Sequence, residues 1–202
     1  MANSLVLLRQ MLRRKPSMFD PKYLTSFIRA KLPAGVVSFK DLKVPARTVA
    51  VRLKDGLLRV FGDDPQDQLI DGMMSSSAIP PYYPPWFCAG EHYVDGGARS
   101  NLPLLVALER GAGEIYALDV QDKLGNTEKN MDMMGLVWRT VSFMLSQQTE
   151  MELREARRLG AIIHYIPLQI ADVSFWDFRK AEKLIAIGKE QTLAALSTES
   201  HF

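Results

Sequence analysis

The segment "AGEHYVDGGARSNLP", residues 89–103, contains an aspartate, Asp95, directly before two glycines, Gly96 and Gly97. A carboxylate in such a position can act as a general base, because a serine hydroxyl is a poor nucleophile until a neighbouring group accepts its proton. The glycines would let the backbone turn away and leave the carboxylate facing a cleft. The same residues also fit an ordinary turn, since Asp-Gly is a favoured turn dipeptide. The surrounding elements must decide between these interpretations.

The histidines and the cysteine, which could bind a metal or take part in catalysis, are not spaced in any recognisable motif. They are three histidines and one cysteine: His92, His164, His201 and Cys88. None has the short spacing typical of metal ligands. His92 is close enough in sequence to suggest a Ser-His-Asp arrangement with Asp95, but the intervening strand would direct alternate residues to opposite faces. The carboxylates of "GDDPQD", residues 62–67, lack a calcium-loop pattern and better fit a solvated helix start. We predict no metal and no cofactor.

The composition is that of a globular protein. The chain has 202 residues, 47% of them hydrophobic and 24% charged, which suits one domain with its own core. A net charge of +2 gives no reason to expect nucleic acid as a partner. The single cysteine excludes an internal disulfide. The apolar run within residues 4–15 is too short for a signal peptide, and no run is long enough to span a membrane. We expect a cytoplasmic protein.

Hydrophobic patterns predict helices alternating with strands. Helices are predicted at residues 4–15, 17–32, 64–78, 101–112, 131–159 and 178–196. Strands are predicted at residues 47–53, 57–62, 92–94, 114–120 and 161–168, the first two as a hairpin. The alternation indicates an α/β fold with a mostly parallel central sheet flanked by helices. Two sets of side chains are expected to face the core, Tyr23, Leu24, Phe27 and Ile28 in the second helix and Met134, Val137, Val141, Met144 and Leu145 in the fifth.

The order of motifs around Asp95 resembles the C-terminal half of the patatin-like phospholipases and acyl hydrolases. The matching elements are "SSSAIP" at 75–80, "PP" at 84–85, "YVDGG" at 93–97, "NLP" at 101–103 and "GA" at 111–112. Each is weak alone, but their order and spacing together are specific. The resemblance implies a single partial patatin-like domain over residues 1–202. It is strongest over residues 12–120, and residues 125–202 form a helical C-terminal part.

The resemblance also implies a chemistry. Members of this family cleave lipid carboxyl esters with a Ser–Asp dyad and no histidine. The serine lies in a Gly-x-Ser-x-Gly elbow, and backbone amides of an earlier Gly-rich loop stabilise the oxyanion. Asp95 matches the catalytic base of this dyad, and Gly96 and Gly97 match the glycines that support it.

Half of this machinery is absent from the sequence, which contains no Gly-x-Ser-x-Gly. The N-terminal strand, the oxyanion loop and the nucleophile elbow are therefore expected to be missing. Either the chain is the Asp-bearing part of a serine acyl hydrolase, inactive as given, or it is a catalytically dead relative that binds a lipid or a partner. The intact Asp-Gly-Gly favours the first interpretation.

The expected partners follow from the same reasoning. The substrate would be a lipid ester, of a kind that the sequence does not specify. The aromatic residues of "PYYPPWF", 81–87, and of "SFWDF", 174–178, suggest either core packing or a rim in peripheral contact with a membrane. An unpaired sheet edge left by the missing strand would favour association with another chain.

Overall fold

The computed structural model describes residues 17–122, 133–170 and 180–199. It divides into two compact units, Met1–Asn101 and Leu102–Phe202, and each is described here by itself. The predicted helix at residues 4–15, the "SFWDF" segment and His201 lie outside the described residues.

Residues 17–101, the described part of the first unit, form two helices and four strands. They are α1 (Pro21–Lys31), β1 (Thr48–Arg52), β2 (Leu58–Phe61), α2 (Leu69–Ser75), β3 (Trp86–Cys88) and β4 (Glu91–Asp95). Short 3₁₀ turns lie at Phe39–Asp41 and Gly96–Ala98. The strands form one sheet in the order β2-β1-β4-β3. One side of the sheet packs on a core that includes Phe39, Ala50, Phe61, Leu69, Cys88 and Tyr93.

Every strand pair of this sheet is antiparallel. The α/β class is confirmed, but the expectation of a mostly parallel sheet is wrong for these four strands. Short turns join β1 to β2 and β3 to β4, and a short turn can only reverse the chain. Strands β1 and β4 are far apart in the sequence, and no local pattern indicates their antiparallel pairing. The predicted hairpin of β1 and β2 is present. Ala89 and Gly90 join β3 to β4 with positive φ angles of 49° and 78°.

Helix α1 begins as the sequence predicts, because the side chain of Asp20 accepts a hydrogen bond from the N–H of Lys22 and Pro21 occupies the first turn. Of the residues expected to face the core, Ile28 is buried, but Tyr23 and Phe27 are 82% and 61% exposed. A short helix buries one row of side chains. Here the buried row contains Ile28, and Tyr23 and Phe27, four residues apart, form the adjacent exposed row.

The described residues of the second unit form three helices and two strands. They are α3 (Leu104–Leu108), β5 (Glu114–Asp122), α4 (Met133–Arg158), β6 (Ile162–Ile170) and α5 (Ala181–Glu199). Strands β5 and β6 are parallel, in register from Glu114↔Ile162 to Asp122↔Ile170, so the expected parallel pairing occurs here. The core of this unit contains Leu104, Ala117, Leu153 and Ala156.

The Met-rich half of α4 does not form the predicted core stripe. Val137 and Met144 are 50% and 67% exposed, while Leu153 and Ala156 near the end of the helix are buried. A helix buries its apolar stripe only where another element packs on it, and here that is the C-terminal end, where Leu153 and Ala156 pack with Leu104 and Ala117. No helix within the described ranges is long and apolar enough to cross a membrane.

Candidate active site around Asp95

Asp95 is the last residue of β4 and lies opposite Ala50 of the neighbouring strand β1. Its N–H donates a hydrogen bond of 3.1 Å to the carbonyl of Ala78, in the small-residue segment that follows α2. Two elements distant in sequence therefore fix the backbone of Asp95. This brings together two of the motifs that carried the resemblance, "SSSAIP" and "YVDGG".

The carboxylate of Asp95 is anchored through one oxygen. The N–H of Gly97 donates to Oδ1 at 2.7 Å, which makes Asp95 the cap of the Gly96–Ala98 turn. Among the described residues, no side chain forms an ion pair or hydrogen bond with this carboxylate. Partial burial raises the pKa of Asp95 above its ordinary value, and the Gly97 hydrogen bond acts in the opposite direction without cancelling the effect. The site thus presents a held carboxylate that binds a proton more readily than an aspartate in water.

Gly96 is required by close packing. A Cβ atom at this position would lie 2.5 Å from Cγ2 and 2.6 Å from the carbonyl oxygen of Val49. Gly97 is less constrained, because its Cβ would lie 3.0 Å from Oδ1 of Asp95 itself. Neither glycine has a positive φ angle. The backbone does turn directly after Asp95, but Gly96 allows it to approach β1, and neither glycine provides a left-handed conformation.

The nearby serines provide no evident nucleophile. Ser75 is fully buried, and its Oγ lies 3.8 Å from Sγ of Cys88. Ser76 and Ser77 are half-buried in the segment that leads to Ala78. No serine hydroxyl of the described residues is hydrogen-bonded to Asp95.

Neither of the two described histidines forms a hydrogen bond or ion pair with Asp95. His92 is exposed on β4, where its ring lies 4.8 Å from the ring of Phe87. His164 lies in the second unit, with Nε2 3.0 Å from Oε1 of Glu114. Where the structure describes the chain, no group of three or more histidine, cysteine, aspartate or glutamate side chains is arranged to hold a metal ion.

The carboxylates of residues 62–67 form ion pairs and hydrogen bonds with nearby residues. Asp63 pairs with Arg47 at 2.9 Å. Asp67 pairs with Arg59 at 2.7 Å and also accepts a hydrogen bond from the N–H of Gly62. These contacts stabilise the loop between β2 and α2.

The aromatic segment at residues 81–87 divides between core and surface. Tyr82 is buried, and Nε1 of Trp86 donates to Oδ1 of Asp71 at 2.9 Å. Phe87 is 59% exposed on the edge strand β3. Tyr82 therefore packs in the interior, and of the large apolar side chains in this segment only Phe87 is more exposed than buried.

Sequence reasoning missed the residues that support Asp95 from other elements. Val49 packs against Gly96, and the backbone carbonyl of Ala78 accepts a hydrogen bond from the N–H of Asp95. Many residue types could make either contact, so the sequence does not indicate them. The pairing of β1 with β4 reveals Val49, and the hydrogen bond from the N–H of Asp95 reveals Ala78.

A comparison with protein families identifies a relationship for the first half of the chain. The family model described as patatin-like phospholipase matches residues 1–108, which is more than half of the chain and includes Asp95, its two glycines and the segment that contains Ala78. The chain therefore belongs to the patatin-like phospholipases, a family of lipid acyl hydrolases.

Proposed function

We propose that Asp95 is the general base of a Ser–Asp dyad that hydrolyses the carboxyl ester of a lipid. The observation that carries the proposal is the carboxylate itself, held through Oδ1 by the N–H of Gly97 and engaged by no side chain of the described residues. Oδ2 is then free of side-chain partners in the part of the chain that the structure describes. A serine hydroxyl would donate its hydrogen bond there.

The reaction follows from this arrangement. The carboxylate takes the hydroxyl proton while the serine oxygen attacks the ester carbonyl, and collapse of the tetrahedral intermediate returns the proton to the departing alcohol. Water then attacks the acyl-serine in the same way and releases the fatty acid. Partial burial supports this role, because a carboxylate with a raised pKa is a stronger base than one in water.

We propose that the serine of the dyad is not among residues 1–202. The sequence has no Gly-x-Ser-x-Gly, and Ser75 is fully buried against Cys88. The chain alone would then show no turnover of short-chain p-nitrophenyl esters. The alternative is a relative of the same fold that binds a lipid or a partner without catalysis.

Complementation tests the proposal. The chain is mixed or co-expressed with a second polypeptide carrying a strand, a Gly-rich loop and a Gly-x-Ser-x-Gly elbow, and p-nitrophenyl butyrate hydrolysis is followed. We expect activity only in the combination, and a loss of about 100-fold or more for Asp95→Asn, the usual size of a general-base contribution. Glu91→Gln is the matched control, because Glu91 begins the same strand and pairs with Lys54 at the surface.

Each outcome separates the alternatives. Activity of the combination that survives Asp95→Asn refutes the role of Asp95. Turnover by the chain alone, abolished by Asp95→Asn, refutes the external serine and points to an unorthodox nucleophile among residues 75–77. Lipid binding without turnover in any combination supports the binding relative.

A further inference from the structure

Helix α1 exposes two aromatic side chains on the side opposite to the one it buries. Tyr23 and Phe27 are 82% and 61% exposed and lie four residues apart, so their side chains are neighbours on the helix surface. The other side holds the helix in place, because Ile28 is buried and the hydroxyl of Thr25 donates to Sδ of Met74 in α2 at 3.5 Å. Tyr23 and Phe27 therefore form an apolar patch that the packing of α1 does not explain.

Positively charged side chains border this patch on both sides. Successive residues of a helix are rotated by about 100°, which places Lys31 on one side of the patch and Lys22 and Arg29 on the other. All three are exposed, and Nζ of Lys31 lies 5.9 Å from the centre of the Phe27 ring. Within the described ranges, none of these three cations forms an ion pair. Their charges are therefore not compensated by the protein around them.

The sequence concentrates positive charge in the same part of the chain. Residues 1–32 contain one acidic residue, Asp20, and seven basic residues, Arg9, Arg13, Arg14, Lys15, Lys22, Arg29 and Lys31. Their net charge is +6, whereas residues 33–202 carry −4, and the two together give the +2 of the whole chain. Such a charge asymmetry indicates that the basic part meets a negatively charged partner.

The residues between the basic positions favour a lipid surface over a nucleic acid. Six of residues 4–12 are aliphatic or methionine: Leu5, Val6, Leu7, Leu8, Met11 and Leu12. Single-stranded nucleic acids are bound by basic residues together with aromatic rings that stack on the bases, and aliphatic side chains add little there. The bilayer interface accepts aliphatic and aromatic side chains together with lysine and arginine.

We propose that α1 binds the surface of an anionic bilayer, with the rings of Tyr23 and Phe27 at the boundary between head groups and acyl chains. Lys22, Arg29 and Lys31 contact the lipid phosphates, because long basic side chains extend from an apolar surface to reach charged groups. The proposal concerns the surface on which the protein rests and not the ester that it cleaves. It does not depend on Asp95, and it stands whether or not the chain takes part in ester hydrolysis.

Two phenylalanines of nearly equal exposure provide a matched test of the apolar contact. Phe27 on α1 is 61% exposed, and Phe87 on β3 is 59% exposed. The chain of 202 residues is sedimented with vesicles of phosphatidylcholine that contain phosphatidylserine. Phe27→Ala should weaken vesicle binding at least about fivefold, because a ring that leaves water contributes strongly to affinity. Phe87→Ala should bind as wild type does, and circular dichroism verifies that both variants are folded.

The charges are tested with the double variant Lys22→Gln/Arg29→Gln. Each basic residue near an anionic surface contributes about fivefold to affinity, so this variant should bind at least about tenfold more weakly. Lys183→Gln/Lys189→Gln is the matched control, because it removes the same charge from two exposed lysines of α5 and should leave binding nearly unchanged. Vesicles of phosphatidylcholine alone should bind the wild-type chain at least about tenfold more weakly than the anionic vesicles.

Three results would overturn the proposal. One is equal affinity of the wild type for neutral and anionic vesicles, which would show that the positive charges play no part. Another is an equal loss of binding within either matched pair of folded variants, which would place the contact outside α1. The third is release of the chain from anionic vesicles by single-stranded RNA at an equal concentration of phosphate, which would assign the surface to a nucleic acid.

Discussion

Gly96→Ala tests whether the Asp95 turn depends on close packing against β1. The new methyl group would lie 2.5 Å from Cγ2, 2.6 Å from the carbonyl oxygen and 2.8 Å from the carbonyl carbon of Val49. Overpacking of this kind costs about 1–3 kcal/mol. Two of the three clashing atoms belong to the backbone of β1, which cannot rotate away as a side chain can. We therefore expect a loss near the upper end, about 3 kcal/mol of the free energy of unfolding.

Two further glycines provide the controls. Gly97→Ala should cost less than about 1 kcal/mol, because its nearest contact is the movable carboxylate of Asp95 at 3.0 Å. Gly90 has a φ of +78°, and a methyl group added there would meet no atom of the described residues within 4 Å. Gly90→Ala therefore isolates the cost of the left-handed conformation, about 1–2 kcal/mol.

Urea unfolding followed by circular dichroism gives the three free energies, and hydrogen exchange of peptides covering β1 and β4 shows where the loss occurs. Faster exchange in Gly96→Ala should be concentrated at the Ala50–Asp95 pair. A Gly96→Ala variant within about 0.5 kcal/mol of wild type, beside a costly Gly90→Ala, would refute the packing argument.

Three other predictions concern single side chains. Burial raises the pKa of Asp95 above 3.8, so the folded state binds a proton more readily than the unfolded state, and ionisation of Asp95 destabilises the fold as the pH rises through the raised value. Asp95→Asn should therefore be more stable than wild type in urea at pH 7. A stability difference that does not shrink towards pH 4 would contradict this. Glu152 is buried and accepts hydrogen bonds from the N–H groups of Leu104 at 3.0 Å and Leu105 at 3.4 Å; Glu152→Ala should cost about 1–3 kcal/mol in urea unfolding, and Glu152→Gln, which keeps an acceptor, should cost less. Cys88 is buried, and burial raises the pKa of its thiol; Ellman's reagent should react slowly until urea unfolds the first unit, and rapid labelling of the native chain would contradict the buried position.

The sequence predicted the elements that depend on local signals. Asp20 and Pro21 mark the start of α1, and the hairpin of β1 and β2 follows from alternating apolar residues around a glycine turn. Asp95 was selected in the same way, from its own glycines and its flanking motifs, and its catalytic role stays a prediction. Each of these features depends on residues that are close together in the sequence, so it can be predicted from one sequence.

What the sequence did not predict depends on partners far along the chain. The antiparallel sheet required the turn at Ala89–Gly90, which lacks the usual Asn-Gly or Asp-Gly signal. The apolar pattern of α4 identified a helix but not which of its turns would be buried, because that depends on the elements that pack on it, such as those that carry Leu104 and Ala117. Val49 and Ala78 support Asp95 through a strand pairing and a backbone hydrogen bond, and both join residues that are distant in the sequence.

The chemistry of residue 95 argues against its being a turn residue alone. Asparagine caps a turn about as well as aspartate, and its amide oxygen would accept the same hydrogen bond from the N–H of Gly97. Asparagine would also avoid the free-energy cost of burying a charged carboxylate, the same desolvation that raises the pKa of Asp95. A turn is thus served better by the neutral residue, whereas a proton acceptor requires the carboxylate. Asp95→Asn should therefore improve stability while abolishing the base, and a variant that lost both would show that the carboxylate is needed by the fold itself.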